Sequence, residues 1–189
     1  PKKSGPETYG PETYIVLPES RRRSILDHCQ RSLAACRQQG KAEEGKAFGL
    51  VSGTVSGDVL TVADCFPLKK NVRSHPPYKE HMDRIMAEHA VLSQTPLHMR
   101  GWVADPAELF ARIKDCRRRR HILLGTYHMH RVGWEHDRTR ETPTRLDTVL
   151  AAESGMLMFI VSMVEPVRPV IRAFYEGVAE REIPIQVIG

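Results

Sequence analysis

Leu157 to Met163 form an apolar run broken only by Ser162. The run is far short of the roughly 18 residues that a membrane-spanning helix needs. Even its widest extension, Gly155 to Val164, reaches only about half that length. The length instead fits a strand buried on both faces. Such a strand needs a covering layer of helices or a second sheet on each side. The chain must therefore fold as a layered domain with an interior. Its 189 residues, 41% of them hydrophobic, are enough for one.

Helix and strand patterns alternate around that run. Residues 1–17 carry a Pro-Glu-Thr-Tyr near-repeat and are expected to form a flexible arm. A helix is expected from Pro18–Ser20 to Gly40, with Ile25, Leu26, Cys29, Leu33 and Cys36 at helical spacing. Phe48 to Val55 and Val59 to Phe66 read as strands joined by a tight turn at Ser56, Gly57 and Asp58. Residues 69–100 form a polar excursion, helical over Tyr78 to Leu92. Asp105 caps a further helix with Pro106 at its first position. His121 to His130 is a strand, 131–143 a long polar loop, and Thr144 to Glu153 a helix. Val170 to Tyr175 and Ile183 to Ile188 complete the strands. The expected class is α/β or α+β. One domain over residues 18–189 holds a mixed, mostly antiparallel sheet flanked by helices.

Charge narrows the partners little. Lys plus Arg is 28 and Asp plus Glu is 23, a net charge of +5. The two arginine clusters, Arg21–Arg23 and Arg117–Arg120, sit near helix ends. They read as solvated faces, and the second complements a helix dipole. No aromatic residues interleave with them, which disfavours a nucleic-acid partner. Cys29, Cys36, Cys65 and Cys116 contain no Cys-x-x-Cys pair. The first residues hold no apolar signal-peptide core, so reduced thiols, a cytoplasmic location and no membrane contact are expected.

The chemistry concentrates in His128 and His130, which end a strand. Residues two apart on a strand face the same side, so two imidazoles converge there, and neutral imidazole is a good zinc ligand. Thr144 and Asp147 then open a helix. That spacing is read in two ways. It is either a capping box with Asp in place of Glu, or Asp147 completes a two-histidine, one-carboxylate site. Three protein ligands leave a fourth tetrahedral position for water, as in catalytic zinc centres. His136 and Asp137 in the loop are weaker candidates. Trp134, among charged neighbours, reads as a substrate contact as readily as a core residue.

His-x-His at a strand end, a loop, then Thr-x-x-Asp opening a helix resembles the JAMM metalloproteases, also called MPN+ or JAB domains. The glycine-bearing strand Phe48 to Gly53, the strand Phe159 to Ser162 and Ile171 to Phe174 follow the family's order, and they look like its prokaryotic members. The resemblance implies a JAB/MPN-like, cytidine-deaminase-like fold. It implies zinc held by His128, His130 and Asp147, and hydrolysis of peptide or isopeptide bonds, such as those of ubiquitin-like or sulfur-carrier tails. It assigns oxyanion stabilisation to Thr144, where the family has serine. Lys46 occupies the position of the family's basic glutamate. Glu44, two residues earlier and on the same face of an extended chain, is then the candidate general base, with Glu43 beside it. The loop of 131–143 is longer than the family's usual spacer. A domain without a working base would instead be a catalytically silent interaction module.

Overall fold

The structure, a computed structural model, describes residues 9–40, 45–93 and 95–189. Along the chain its elements are β1 (Tyr14–Pro18), α1 (Glu19–Gln38), β2 (Phe48–Ser56), β3 (Val59–Pro67), α2 (Tyr78–His89), α3 (Pro106–Arg118), β4 (Ile122–His130), α4 (Arg145–Ala151), β5 (Leu157–Ser162), β6 (Val170–Tyr175), β7 (Glu182–Ile183) and β8 (Ile185–Ile188). The strands form one mixed sheet in the order β7-β6-β5-β4-β2-β3-β1-β8. Three neighbouring pairs are parallel (β1–β3, β1–β8 and β4–β5) and four are antiparallel. With the four α-helices among the described residues, this is a single mixed α/β domain.

The apolar run becomes β5, and all six of its residues are buried. Leu157, Phe159 and Val161 join the core under α1, where Ile25, Leu26, Cys29 and Leu33 also pack. Met158 and Ile160 point to the other face, beside Phe174 and Ala151 of α4. That second face also carries α3, with Cys116 and Leu109 against Phe48, Leu50 and Phe66. Thus β5 has helices on both sides, as its composition requires.

Two departures from the sequence reading concern the ends. Residues 14–17, expected within a flexible arm, form β1 between β3 and β8. Tyr14 to Pro18 alternates, so Ile15 and Leu17 are fully buried while their neighbours are partly exposed. The Pro- and Gly-rich near-repeat hid this short alternation. Tyr9 is tied down too, packing edge-on against Tyr175 at 5.1 Å. The second departure is the last strand, which Pro184 divides. Proline has no N–H for a ladder, and the chain changes partner there. β7 pairs with β6, and β8 with β1. The Pro184 carbonyl accepts from the Ile15 N–H at 2.8 Å. The two edges of the sheet therefore meet around one residue, and the sheet is nearly a barrel.

Curling the sheet brings backbones close. A Cβ on Gly53, at the register shift of β2 against β3, would lie 1.9 Å from the Thr61 carbonyl oxygen. One on Gly125 would lie 2.0 Å from that of Leu157. The excursion of 69–100 is pinned by Arg73, whose side chain is fully buried. Its Nε donates to the Arg100 carbonyl at 2.9 Å, and its Nη2 pairs with Asp83 at 2.6 Å. Met82 and Met86 of α2 then pack on Leu146 of α4. The arginine clusters are partly paired, with Glu19 holding Arg22 and Arg23, and Asp64 holding Arg21 and Arg119.

Replacing Gly125 by alanine forces β4 and β5 apart. It is expected to cost about 1–3 kcal/mol, read as a lower urea midpoint. An unchanged midpoint would show that the strands have slack at that crossing.

Candidate metal centre

β4 ends on its two histidines because its register sets them there. Phe48 pairs with His128, and the Met129 N–H donates to the Ala47 carbonyl at 2.9 Å. Alternation sends Tyr127 and Met129 to the α1 face and both histidines to the opposite face. Both imidazoles are buried. Their Nε2 atoms lie 3.0 Å apart. Asp147 reaches them from α4, with Oδ1 3.3 Å from Nε2 of His128 and Oδ2 3.5 Å from Nε2 of His130.

These separations fit one small ion. Ligands at about 2.0–2.1 Å in a tetrahedron stand about 3.3 Å from one another, and the three distances bracket that value. The tautomers fit in part. His130 Nδ1 lies 3.0 Å from the Arg140 carbonyl, which only accepts, so Nδ1 carries the proton and Nε2 offers its lone pair. His128 Nδ1 is buried and has no such brace among the described residues.

Both readings of Thr144 and Asp147 hold at once. The Thr144 N–H donates to Asp147 Oδ2 at 2.7 Å, and the Thr144 hydroxyl accepts from the Asp147 N–H at 3.3 Å, a complete capping box. Oδ1 is left facing His128. The Thr144 hydroxyl proton is itself given to Asp147 Oδ2, at 2.8 Å. In this arrangement it is not available to a developing oxyanion.

Electrostatics keep Asp147 ionised. Burial disfavours the charged form of Asp147, but His128 and His130 outweigh it and hold the carboxyl well below its usual range. Burial lowers the pKa of His130, with Asp147 opposing.

The centre lines a cavity of about 430 Å³, within the usual range for small-molecule and peptide sites. Met82, Met86 and Leu146 form an apolar side. Trp134 also lines it, as its sequence position allowed, but the Arg140 guanidinium stacks 3.4 Å from its ring centre. Lys46 lines the cavity too. Glu44 and Glu43 lie outside the described residues, so the candidate base has no position to report. His136 is exposed beside Trp134, and Asp137 serves the loop, accepting from the Arg140 N–H at 2.8 Å. Neither joins the three-residue group, which is the one His/Cys/Asp/Glu cluster found among the described residues.

Sequence reasoning missed Arg140 and Arg100. Arg140 adopts φ 54°, a left-handed conformation that non-glycine residues seldom take. It is held there by the turn at Trp134–Asp137 and by the Asp137 side chain. The tie from the Ser162 hydroxyl to the Thr139 carbonyl anchors the same loop to β5. A long polar loop gives no periodic signal from which to place such a residue.

Comparison with known proteins adds the fold. No family profile matches the chain, and no curated protein matches it. Among solved structures it is similar to protein DSY2949 from Desulfitobacterium hafniense, determined in solution. That likeness has 24% identity over 92% of each chain and a TM-score of 0.62. It shows the shared fold alone. No helix among the described residues is long and apolar enough to cross a membrane.

Zinc added to metal-free protein is expected to bind at about one ion per chain, counted by elemental analysis after gel filtration, and His128→Ala should lose it. Protons compete for the imidazoles. Because burial depresses the His130 pKa from 6.5, protonation of His130 should weaken binding only below that pH. Zinc retained undiminished by His128→Ala would place the ion elsewhere.

Proposed function

We propose that this chain is a zinc-dependent hydrolase of peptide or isopeptide bonds, of the JAMM type. The observation that carries the reading is the convergence of two Nε2 atoms and one carboxylate, all within 4.8 Å of one another, at the side of a cavity. The strand order around them supports it. Zinc held by His128, His130 and Asp147 would supply Lewis acidity, lowering the pKa of water towards about 7 and polarising a carbonyl.

The chain's own residues do the rest. The Arg140 carbonyl holds the proton on His130 Nδ1. The capping box aims Asp147. Thr144 assists an oxyanion once its hydroxyl turns away from Asp147. Glu44 takes and returns the proton; the three residues that follow it in sequence, Gly45 to Ala47, line the cavity. Trp134 and the methionine wall contact the substrate, a protein or peptide tail of the ubiquitin-like or sulfur-carrier kind. A cytoplasmic location accords with four free cysteines.

One observation favours a second reading. Lys46 lines the cavity at the position where the resembled family carries its glutamate, which suits a silent JAMM-like domain that binds a protein without cleaving it. Cleavage of a ubiquitin-like fusion separates the two. The wild type should cleave and His128→Ala should not, while Glu44→Gln should lower kcat by about 10²- to 10⁴-fold. A wild type that binds zinc and the fusion yet leaves it intact would establish the silent module. Equal rates for wild type and Glu44→Gln would remove Glu44 as the base.

A further inference from the structure

The described part of the cavity lining is rich in basic residues. Among the described residues lining it, Lys46, Arg100, Arg131 and Arg140 are basic and Asp147 is the one acid. Asp147 is engaged by the histidines and by Thr144. Basic groups left short of partners beside the site favour an anionic ligand, and a divalent ion would strengthen the preference.

Two of these cations are placed to receive it. The Arg140 side chain is only 7% exposed, yet its carboxylate partner among the described residues, Asp137 Oδ2, is at 3.5 Å, the outer limit of a hydrogen bond. Its Nε is buried without a partner among the described residues. Burying a guanidinium is costly unless its donors are met. Arg100 gives one donor to the Val91 carbonyl at 2.7 Å, which leaves the rest of its fork. Both guanidinium carbons stand by the Trp134 ring, at 3.4 Å for Arg140 and 5.7 Å for Arg100 from its centre. A planar fork stacked on an aromatic ring is pre-oriented for a carboxylate. Burial lowers the pKa of each arginine, and in each the Asp147 charge opposes it, so both lie within the field of the metal centre.

We propose that Arg100 and Arg140 together bind a carboxylate of the substrate beside His128, His130 and Asp147. The site then selects peptides that bring a negative charge next to the bond being cut, either a free C-terminal carboxylate or an acidic side chain. The word substrate rests on the hydrolase reading. Carboxylate binding does not, since it needs no metal.

The test uses three N-acetylated tripeptides: one ending in glycine as the free acid, the same peptide as its C-terminal amide, and an amide ending in glutamate. Binding to the full chain is followed by Trp134 fluorescence and by calorimetry, first without metal and then with one equivalent of zinc. The acid is expected to bind about tenfold or more tightly than the glycine amide. Arg100→Gln and Arg140→Gln should each abolish most of that preference, and Arg140→Lys should retain part of it. The wild-type comparison of acid with amide needs no variant to fold. Recovery of tight binding by the glutamate amide assigns the site to acidic side chains, and failure to recover assigns it to chain ends. Equal binding of acid and glycine amide, or no binding of any peptide at millimolar concentration, would overturn the proposal. The two readings fail separately. Acid preference without zinc uptake sinks the hydrolase and spares the carboxylate site, and zinc uptake without acid preference does the reverse.

Discussion

The parallel pairing of β4 with β5 is the constraint from which the rest of the site follows. Two antiparallel neighbours can be joined by a tight turn, but parallel ones need a crossover. From His130 the chain must leave the carboxyl end of β4, travel along the sheet face and enter β5 from the opposite end. The loop 131–143 and α4 make that journey. The first turn of α4 thereby hangs over the end of β4, and Asp147 faces the histidines. The close approach at Gly125, where any side chain would strike the Leu157 carbonyl, keeps the two strands in the register that this geometry needs.

Burial then turns placement into chemistry. The histidines and Asp147 occupy the face opposite α1, roofed by the excursion and the long loop. Desolvation alone would neutralise Asp147, and it stays charged because two imidazoles face it. The same desolvation leaves Arg140 short of partners. The carboxylate and the nearby cations are linked through a shared medium of low polarity, where each charge matters more than it would at the surface.

Much of this was legible in the sequence, for physical reasons that differ between elements. β5 announced itself because burial on both faces leaves no room for polar residues. The histidine pair was legible because a period of two fixes its common face, and the capping spacing of Thr144 and Asp147 marked a helix start. β1 was not legible, because four alternating residues beside Pro and Gly carry too little pattern. Its strand character comes from two partners far away in the chain. Arg140 was hidden for another reason. Its role depends on a backbone conformation imposed by a turn and a carboxylate three residues earlier, and residue type alone does not encode that.

Pro184 gives the barrel-like sheet a clasp. Ile15 pairs with Ile185, about 170 positions away along the chain. Closing so long a loop carries an entropic cost that only a nearly complete structure can meet. The clasp therefore makes the sheet all-or-none. While it holds, β6 and β1 are covered by their short neighbours. When it opens, the strands at both margins lose their partners together and present bare backbone to other chains. The integrity of the domain against self-association thus depends on a seven-residue stretch, 182–188, none of which lines the cavity that holds its chemistry.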